Sequence, residues 1–398
     1  MHTDHGASHL RSLTSLRFVA ALLVVMFHLA VYVPSLPLLG RLMGAGFVGV
    51  SFFFVLSGFV LTYSWDLGSG ATRFYRRRLA RVYPLHLLFI VVAVLPFSPA
   101  PLWSALPANA LLLQSWSPDD AVARSFTGVS WSLSCEFFFY AVFPLLIPWL
   151  WRVRRPLALS SVLVMFALAV GVALQALRSD WGLWLFHLPV FRIVEFVCGS
   201  LAAIAVLRGR VPRLRGRWAA LSVLLSYVGI LVLPLGIGYR LEDRWALTLL
   251  MVPSFTCLIL ACAQMDLSGA SSPLRGRTMV GLGQWSFCIY MAHPVVIALT
   301  LPLLAPSTHV ASVLACVLVL LTVVGVSYLL HATFEQPLER RLRGSDRGRV
   351  SSDAGLAPDV VPPSLQRHGP STLARSRGHR DIPPHGSSQT SSPAQRTG

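Results

Sequence analysis

Apolar stretches of roughly 20 residues, each long enough to cross a bilayer, recur from about residue 14 to about residue 333. Short polar segments separate them. The pattern predicts about ten membrane-spanning helices, over 14–33, 46–64, 79–97, 130–150, 157–177, 188–207, 217–237, 245–264, 279–303 and 309–333. The fold class is therefore all-α, a polytopic transmembrane helix bundle. The first apolar run is span-length and lacks a small-residue cleavage site, so it reads as a retained span and not as a signal peptide. After about Arg340 the chain turns to Ser, Pro, Gly, Arg and His with almost no apolar periodicity. A membrane domain over 1–342 and a disordered cytoplasmic tail over 343–398 are expected. Neither a short-period repeat nor the inverted halves of a transporter stand out.

Composition supports this division. The chain is 55% hydrophobic and only 12% charged, too few charges to coat a soluble surface of this size. All 33 basic residues are Arg, and with 16 acidic residues the formal charge is +17. In a soluble protein that excess would point to nucleic acid. Here it falls in short loops and in the tail, so the lipid bilayer, not nucleic acid, is the expected partner. Arg73 to Arg81, Arg152 to Arg155, Arg208 to Arg217, and Arg275 with Arg277 occupy alternate loops, whereas the opposite loops are Arg-poor and hold Asp119, Asp120, Glu242 and Asp243. The positive-inside rule then puts both termini in the cytoplasm. The six cysteines lie in or beside apolar spans without metal-ligand spacing, so neither a disulfide framework nor a zinc site is expected.

Ionisable groups inside spans are costly and ask for a partner or a task. Arg17 and His28 lie eleven positions apart on the first span, roughly 16 Å along one face of a helix. Glu136 near the start of the fourth span and His293 in the ninth come to a depth similar to that of His28 by helical rise. A carboxylate at that level would orient and charge-stabilise a basic imidazole, so His28 with Glu136 is the expected catalytic pair; His293 reads equally as a packing residue. Arg192 and Glu195, three residues apart on the sixth span, neutralise each other or contact substrate. The run RFYRRRLARVYP, from Arg73 to Pro84, offers Arg73, Arg76, Arg77, Arg78 and Arg81 as a lipid anchor or a phosphate site, and a phosphorylated donor such as coenzyme A would suit it. Ser51 and Ser57, with Gly49 and Gly58, read first as small residues for close helix packing. The chain has no Gly-x-Ser-x-Gly elbow, Walker loop or HExxH segment.

Taken in order, Arg17 with His28, GVSFFFVLSGF (Gly49 to Phe59), RRRLARVYPLH (Arg76 to His86), WSLSCEFFFY (Trp131 to Tyr140), FRIVEFVCG (Phe191 to Gly199), SFCIYMAHP (Ser286 to Pro294) and FEQPLERRL (Phe334 to Leu342) resemble the membrane acyltransferase-3 family of bacterial O-acyltransferases. That family includes polysaccharide O-acetylases and macrolide acyltransferases. The resemblance implies a multi-pass protein of the bacterial plasma membrane that moves an acyl group from acyl-CoA to a hydroxyl of a sugar or sugar-bearing natural product. It implies no permanently bound cofactor and no metal. His28 would act as base with Glu136 as its orienting partner. Arg17 and the Arg73 to Arg81 cluster would hold the donor phosphates, and Ser57, Tyr140, Arg192, Glu195 and His293 would support substrate or structure. Many relatives carry an acidic residue where this chain has Ser51, so no acid–base role carries over to that position; the serine is similar to actinobacterial members, including macrolide acyltransferases. The alternatives are O-acetylation of an exported polysaccharide and, in another class, a proton-coupled carrier, since ten spans with buried Arg, Glu and His also describe transporters.

Overall fold

In the computed structural model, residues 10–30, 37–66, 70–94, 103–237, 243–304 and 308–343 are described; the expected disordered tail lies outside them. Ten long helices follow one another: α1 Arg11–Leu29, α2 Gly49–Tyr63, α3 Ala71–Ala93, α4 Trp131–Leu150, α5 Pro156–Leu177, α6 Pro189–Leu207, α7 Gly216–Ile237, α8 Arg244–Leu267, α9 Ser286–Leu304 and α10 His309–Leu330. No strand occurs among the described residues. Eight helical stretches are long and apolar enough to cross a membrane, and the protein is an integral membrane protein. The other two long helices are α3 and α7. The helix α7 runs Gly216–Ile237, close to its expected bounds, whereas α3 winds the Arg-rich run into its first turns and so begins eight residues before the expected third span. The ninth span is also modified: Arg277–Gln284 forms a separate short helix that stops at Trp285 before α9 begins.

The bundle centres on α2 and α6. Gly58 lies against the Phe196 carbonyl and Gly199 against the Val55 carbonyl, so closely that a Cβ at either position would overlap the facing oxygen. Apolar side chains gain little by leaving lipid for a helix interface, so membrane helices gain contact by bringing backbones together over small residues. Gly49 does the same against Ala20 of α1. Replacing Gly199 with valine should force α2 and α6 apart at a cost of about 1–3 kcal/mol or more. The thermal midpoint of the purified protein in detergent is expected to fall by several degrees, and an unchanged midpoint would contradict the contact.

The segment from Trp103 to Ser130 is folded into the bundle. Within it Asn109, Gln114, Ser115, Ser125 and Ser130 are buried, and each makes a local hydrogen bond. His86 of α3 hydrogen-bonds the Asn109 carbonyl through Nε2 at 2.8 Å, the Asn109 amide donates to Ser125 Oγ at 2.7 Å, and the Gln114 amide donates to the Ser130 carbonyl at 3.0 Å. Ser115 Oγ donates to the Trp131 carbonyl at 2.7 Å. These bonds fix the N-terminus of α4 inside the bundle, where the Trp131 ring packs on Phe54 and Phe186.

Candidate active site

The hydrogen-bond partners of His28 are Val24 and His293, and that of Glu136 is Tyr140. Glu136 lines a cavity of about 820 Å³, mouth included, together with Arg17 of α1, Ser57 of α2, Arg78 and Arg81 of α3, and Tyr140. Tyr140 donates its hydroxyl to Glu136 Oε2 at 2.9 Å, one helical turn along α4. Arg17, Arg78 and Arg81 all act electrostatically on the Glu136 carboxylate. Three guanidiniums around one carboxylate leave the cavity positive, a setting for an anionic ligand.

Only part of the α3 arginine cluster faces this space. Phe74, Arg78 and Arg81 follow helical spacing onto one side, while Arg73, Arg76 and Arg77 are exposed at the start of the helix. The run thus divides into a pair inside the cavity and a basic group outside it.

His28 pairs with His293. Nε2 of His293 lies 3.2 Å from Nδ1 of His28, with ring centroids 4.8 Å apart. Backbone carbonyls assign the protons. His28 Nδ1 lies 2.8 Å from the Val24 carbonyl and His293 Nδ1 3.1 Å from the Ile289 carbonyl. A carbonyl only accepts, so each Nδ1 carries the hydrogen. His293 Nε2 is then an acceptor that shares the His28 N–H with Val24, and His28 Nε2 keeps its lone pair. His293 is fully buried whereas His28 retains some exposure. Arg244 flanks the pair, its guanidinium 5.1 Å from the centre of the Phe27 ring that packs edge-on against His28.

Tyr290 connects the two regions. It lines the cavity, and its ring centroid is 5.9 Å from that of His293 and 6.1 Å from that of Phe53, another lining residue. Its hydroxyl lies 3.0 Å from the Val129 carbonyl, to which it donates, and 2.7 Å from Ser132 Oγ. Tyr290 was not singled out in the sequence, although it stands three residues before His293 on the same helix face.

Arg192 and Glu195 lie elsewhere. Both are buried, and the guanidinium reaches Glu195 Oε2 at 3.1 Å, Ser51 Oγ at 3.0 Å and Thr248 Oγ1 at 2.9 Å. Phe54, Trp131 and Phe186 surround it at 5.3–5.8 Å. Neither residue borders the cavity, so the group is a sealed junction of α2, α6, α8 and the start of α4. Ser51 belongs to this junction; a carboxylate there would face Arg192 and not the cavity.

Among the described residues one cluster has metal-ligand chemistry: atoms of Cys288, His331 and Glu335 come within 4.8 Å of one another. Glu335 Oε2 already accepts from Cys288 Sγ at 3.1 Å and from His331 Nδ1 at 2.7 Å. Arg17 and Arg81 act on the same carboxylate. Two hydrogen-bond donors and nearby positive charge oppose a further cation, so the cluster is better suited to anchoring the cavity arginines.

The apolar helical bundle is that of a multi-pass membrane protein, and the chain belongs to the acyltransferase-3 family, whose acyltransferase domain matches residues 10–332. It is therefore an acyltransferase, and the carrier reading gives way. Among curated proteins it is 33% identical to Acyltransferase MdmB of Streptomyces mycarofaciens, over 89% of this chain and 97% of that protein. It is 29% identical to the exopolysaccharide production protein ExoZ of Rhizobium meliloti (strain 1021), over 78% and 94% of the two chains. A putative acetyltransferase, ORF330, of Acidianus two-tailed virus is 26% identical over 73% and 84%. No solved structure matches.

Proposed function

We propose that the protein transfers an acyl group from acyl-CoA to a hydroxyl of a sugar-bearing natural product such as a macrolide, with His28 as the general base. The observation that carries this reading is the His28–His293 pair, which holds one imidazole in the tautomer whose Nε2 is free to accept a proton. The arginines set the donor's place: exposed Arg73, Arg76 and Arg77 meet the CoA phosphates at the mouth, and Arg17, Arg78 and Arg81 draw the remainder inward. The thioester then passes Tyr290 toward His28. As the acceptor oxygen attacks the thioester carbonyl, His28 Nε2 takes its proton; the tetrahedral intermediate expels the CoA thiolate, which recovers that proton from the imidazolium. Glu136 serves the cavity arginines and Tyr140 in this scheme and does not orient His28. Both termini lie on the cytoplasmic side, in a bacterial plasma membrane, which brings the arginine-lined mouth to the compartment that holds acyl-CoA.

Losing one cavity guanidinium should act on the donor. Arg81→Gln is expected to raise the KM for acyl-CoA about 10- to 100-fold, the value of one charge-assisted hydrogen bond, with a much smaller change in kcat. An unchanged KM would remove Arg81 from the donor site.

The ExoZ likeness supports a second acceptor class, an exported polysaccharide. Membranes containing the protein, given labelled acetyl- or propionyl-CoA with a glycosylated macrolide or a surface glycan fraction, separate the two. Label in the macrolide supports the first reading; label in the glycan alone overturns it in favour of the second.

A further inference from the structure

The cavity and the histidine pair are not continuous. Neither His28 nor His293 borders the cavity; the lining residue that reaches the pair is Tyr290, its ring centroid 5.9 Å from that of His293. Tyr290 meets Phe53 of α2 edge-on, with centroids 6.1 Å apart. Phe53 also packs against the buried cluster that joins Ala21 and Val25 of α1 to Ile289 of α9, the two helices that carry the histidines. A thioester held in the cavity therefore faces a partition of two rings before it reaches His28. The two sides of that partition differ in freedom. Tyr290 is buried, and its hydroxyl is tied both to the Val129 carbonyl and to Ser132 Oγ. Phe53 keeps some exposure. From Gly49 to Thr62 of α2 three positions are not buried, Phe53, Ser57 and Val60, at the i, i+4, i+7 spacing of one helix face, and all three line the cavity. The open side of Phe53 is thus the cavity itself, which gives its ring somewhere to turn.

We propose that Phe53 selects the acyl group: its ring is the yielding side of the partition, and the gap it leaves on turning away from the fixed Tyr290 ring sets the largest acyl group that reaches His28; this rests on the acyl-CoA reading above. Displacing Tyr290 would break two hydrogen bonds in buried surroundings, a costly change, whereas turning Phe53 gives up an edge-on ring contact and breaks none. The phosphorylated part of the donor stays with the arginines, so only the thioester end has to pass. Acetyl asks for the least room. Each further methylene has to fit between a fixed ring and one already displaced, in an interior packed too densely to stretch, and an apolar pocket discriminates about tenfold or more for each methylene it rejects. Phe53 takes no part in the proton transfer; its ring decides which donors reach His28.

Purified protein in nanodiscs would be given acetyl-, butyryl- and hexanoyl-CoA with a glycosylated macrolide, and kcat/KM compared among wild type, Phe53→Ala, Phe53→Leu and Phe53→Trp. The quantity read is the ratio of butyryl to acetyl transfer within each variant, from which a general loss of activity through poorer folding cancels. Wild type should lose at least about tenfold from acetyl to butyryl. Phe53→Ala should raise the ratio at least about tenfold and bring hexanoyl-CoA into use, Phe53→Leu should fall between, and Phe53→Trp should lower the ratio below that of wild type. If Phe53→Ala transfers nothing, the leucine and tryptophan variants carry the comparison. A ratio unchanged across the series, a wild type that uses hexanoyl-CoA as well as acetyl-CoA, or loss of all transfer in all three variants would overturn selection by Phe53 and leave acyl transfer standing. No transfer from any CoA thioester to macrolide or glycan by wild type would instead overturn the donor reading, and the role of Phe53 with it.

Discussion

His28→Ala is expected to lower kcat for acyl transfer about 10²- to 10⁴-fold, the usual contribution of a positioned general base, while the KM for acyl-CoA changes little. The split follows from the geometry: the arginines proposed to bind the donor line the cavity, whereas His28 meets Val24 and His293 beyond Tyr290. The neighbouring residue grades the effect. His293→Leu removes an acceptor from the shared His28 N–H but leaves the Val24 carbonyl in place, so a loss of only about tenfold is expected, smaller than that for the base itself. His293→Gln restores an acceptor oxygen and should recover part of that loss. Steady-state kinetics on purified variants at matched protein levels would test the series. A His28→Ala enzyme within a few-fold of wild type, or a His293→Leu enzyme more impaired than His28→Ala, would contradict these roles.

The second large effect is on stability. Arg192→Leu would leave Glu195 buried without its cation, and breaking one side of a buried pair costs about 3–5 kcal/mol. Glu195 is fully buried and Arg192 is 1% exposed, so water cannot compensate. Fluorescence-detected size exclusion after a temperature series should show a strongly lowered midpoint for Arg192→Leu. Arg192→Leu with Glu195→Leu should recover much of the loss, because replacing both partners removes the uncompensated charge. A single variant as stable as wild type, or a double variant no better than the single, would show that the junction does not hold α2, α6 and α8 together. The junction also explains why Ser51 is tolerated: Glu195 already balances Arg192, and the Ser51 hydroxyl accepts from Arg192 while hydrogen-bonding Glu195.

Length and hydropathy made most of the bundle legible. Apolar periodicity located the long helices to within a few residues, and it failed where polarity and helix coincide, in the Arg-rich first turns of α3. The equal depth of His28 and His293 was also readable, since both were counted along regular helices; their contact was not, because sequence does not show which helices are neighbours. The surroundings of Glu136 were not legible, because hydrogen bonds through Asn109, Gln114 and Ser115 bury the start of α4 within the bundle. Such a buried loop has neither helical nor strand periodicity, so nothing in the hydropathy pattern marks it. The arginine run was visible as a charge cluster, yet helical phase decided that Arg78 and Arg81, but not Arg73, Arg76 or Arg77, line the cavity.

In the proposed reaction an acyl group passes from acyl-CoA to a hydroxyl with His28 as base. The most direct test follows free CoA thiol and acylated product together, using purified protein, acyl-CoA and a glycosylated macrolide, for wild type and His28→Gln. Thiol and ester appearing in equal amounts with wild type, and neither appearing above background with His28→Gln, is the expected result. Ester formed equally well by His28→Gln, or thiol released without ester in the presence of acceptor, would contradict it.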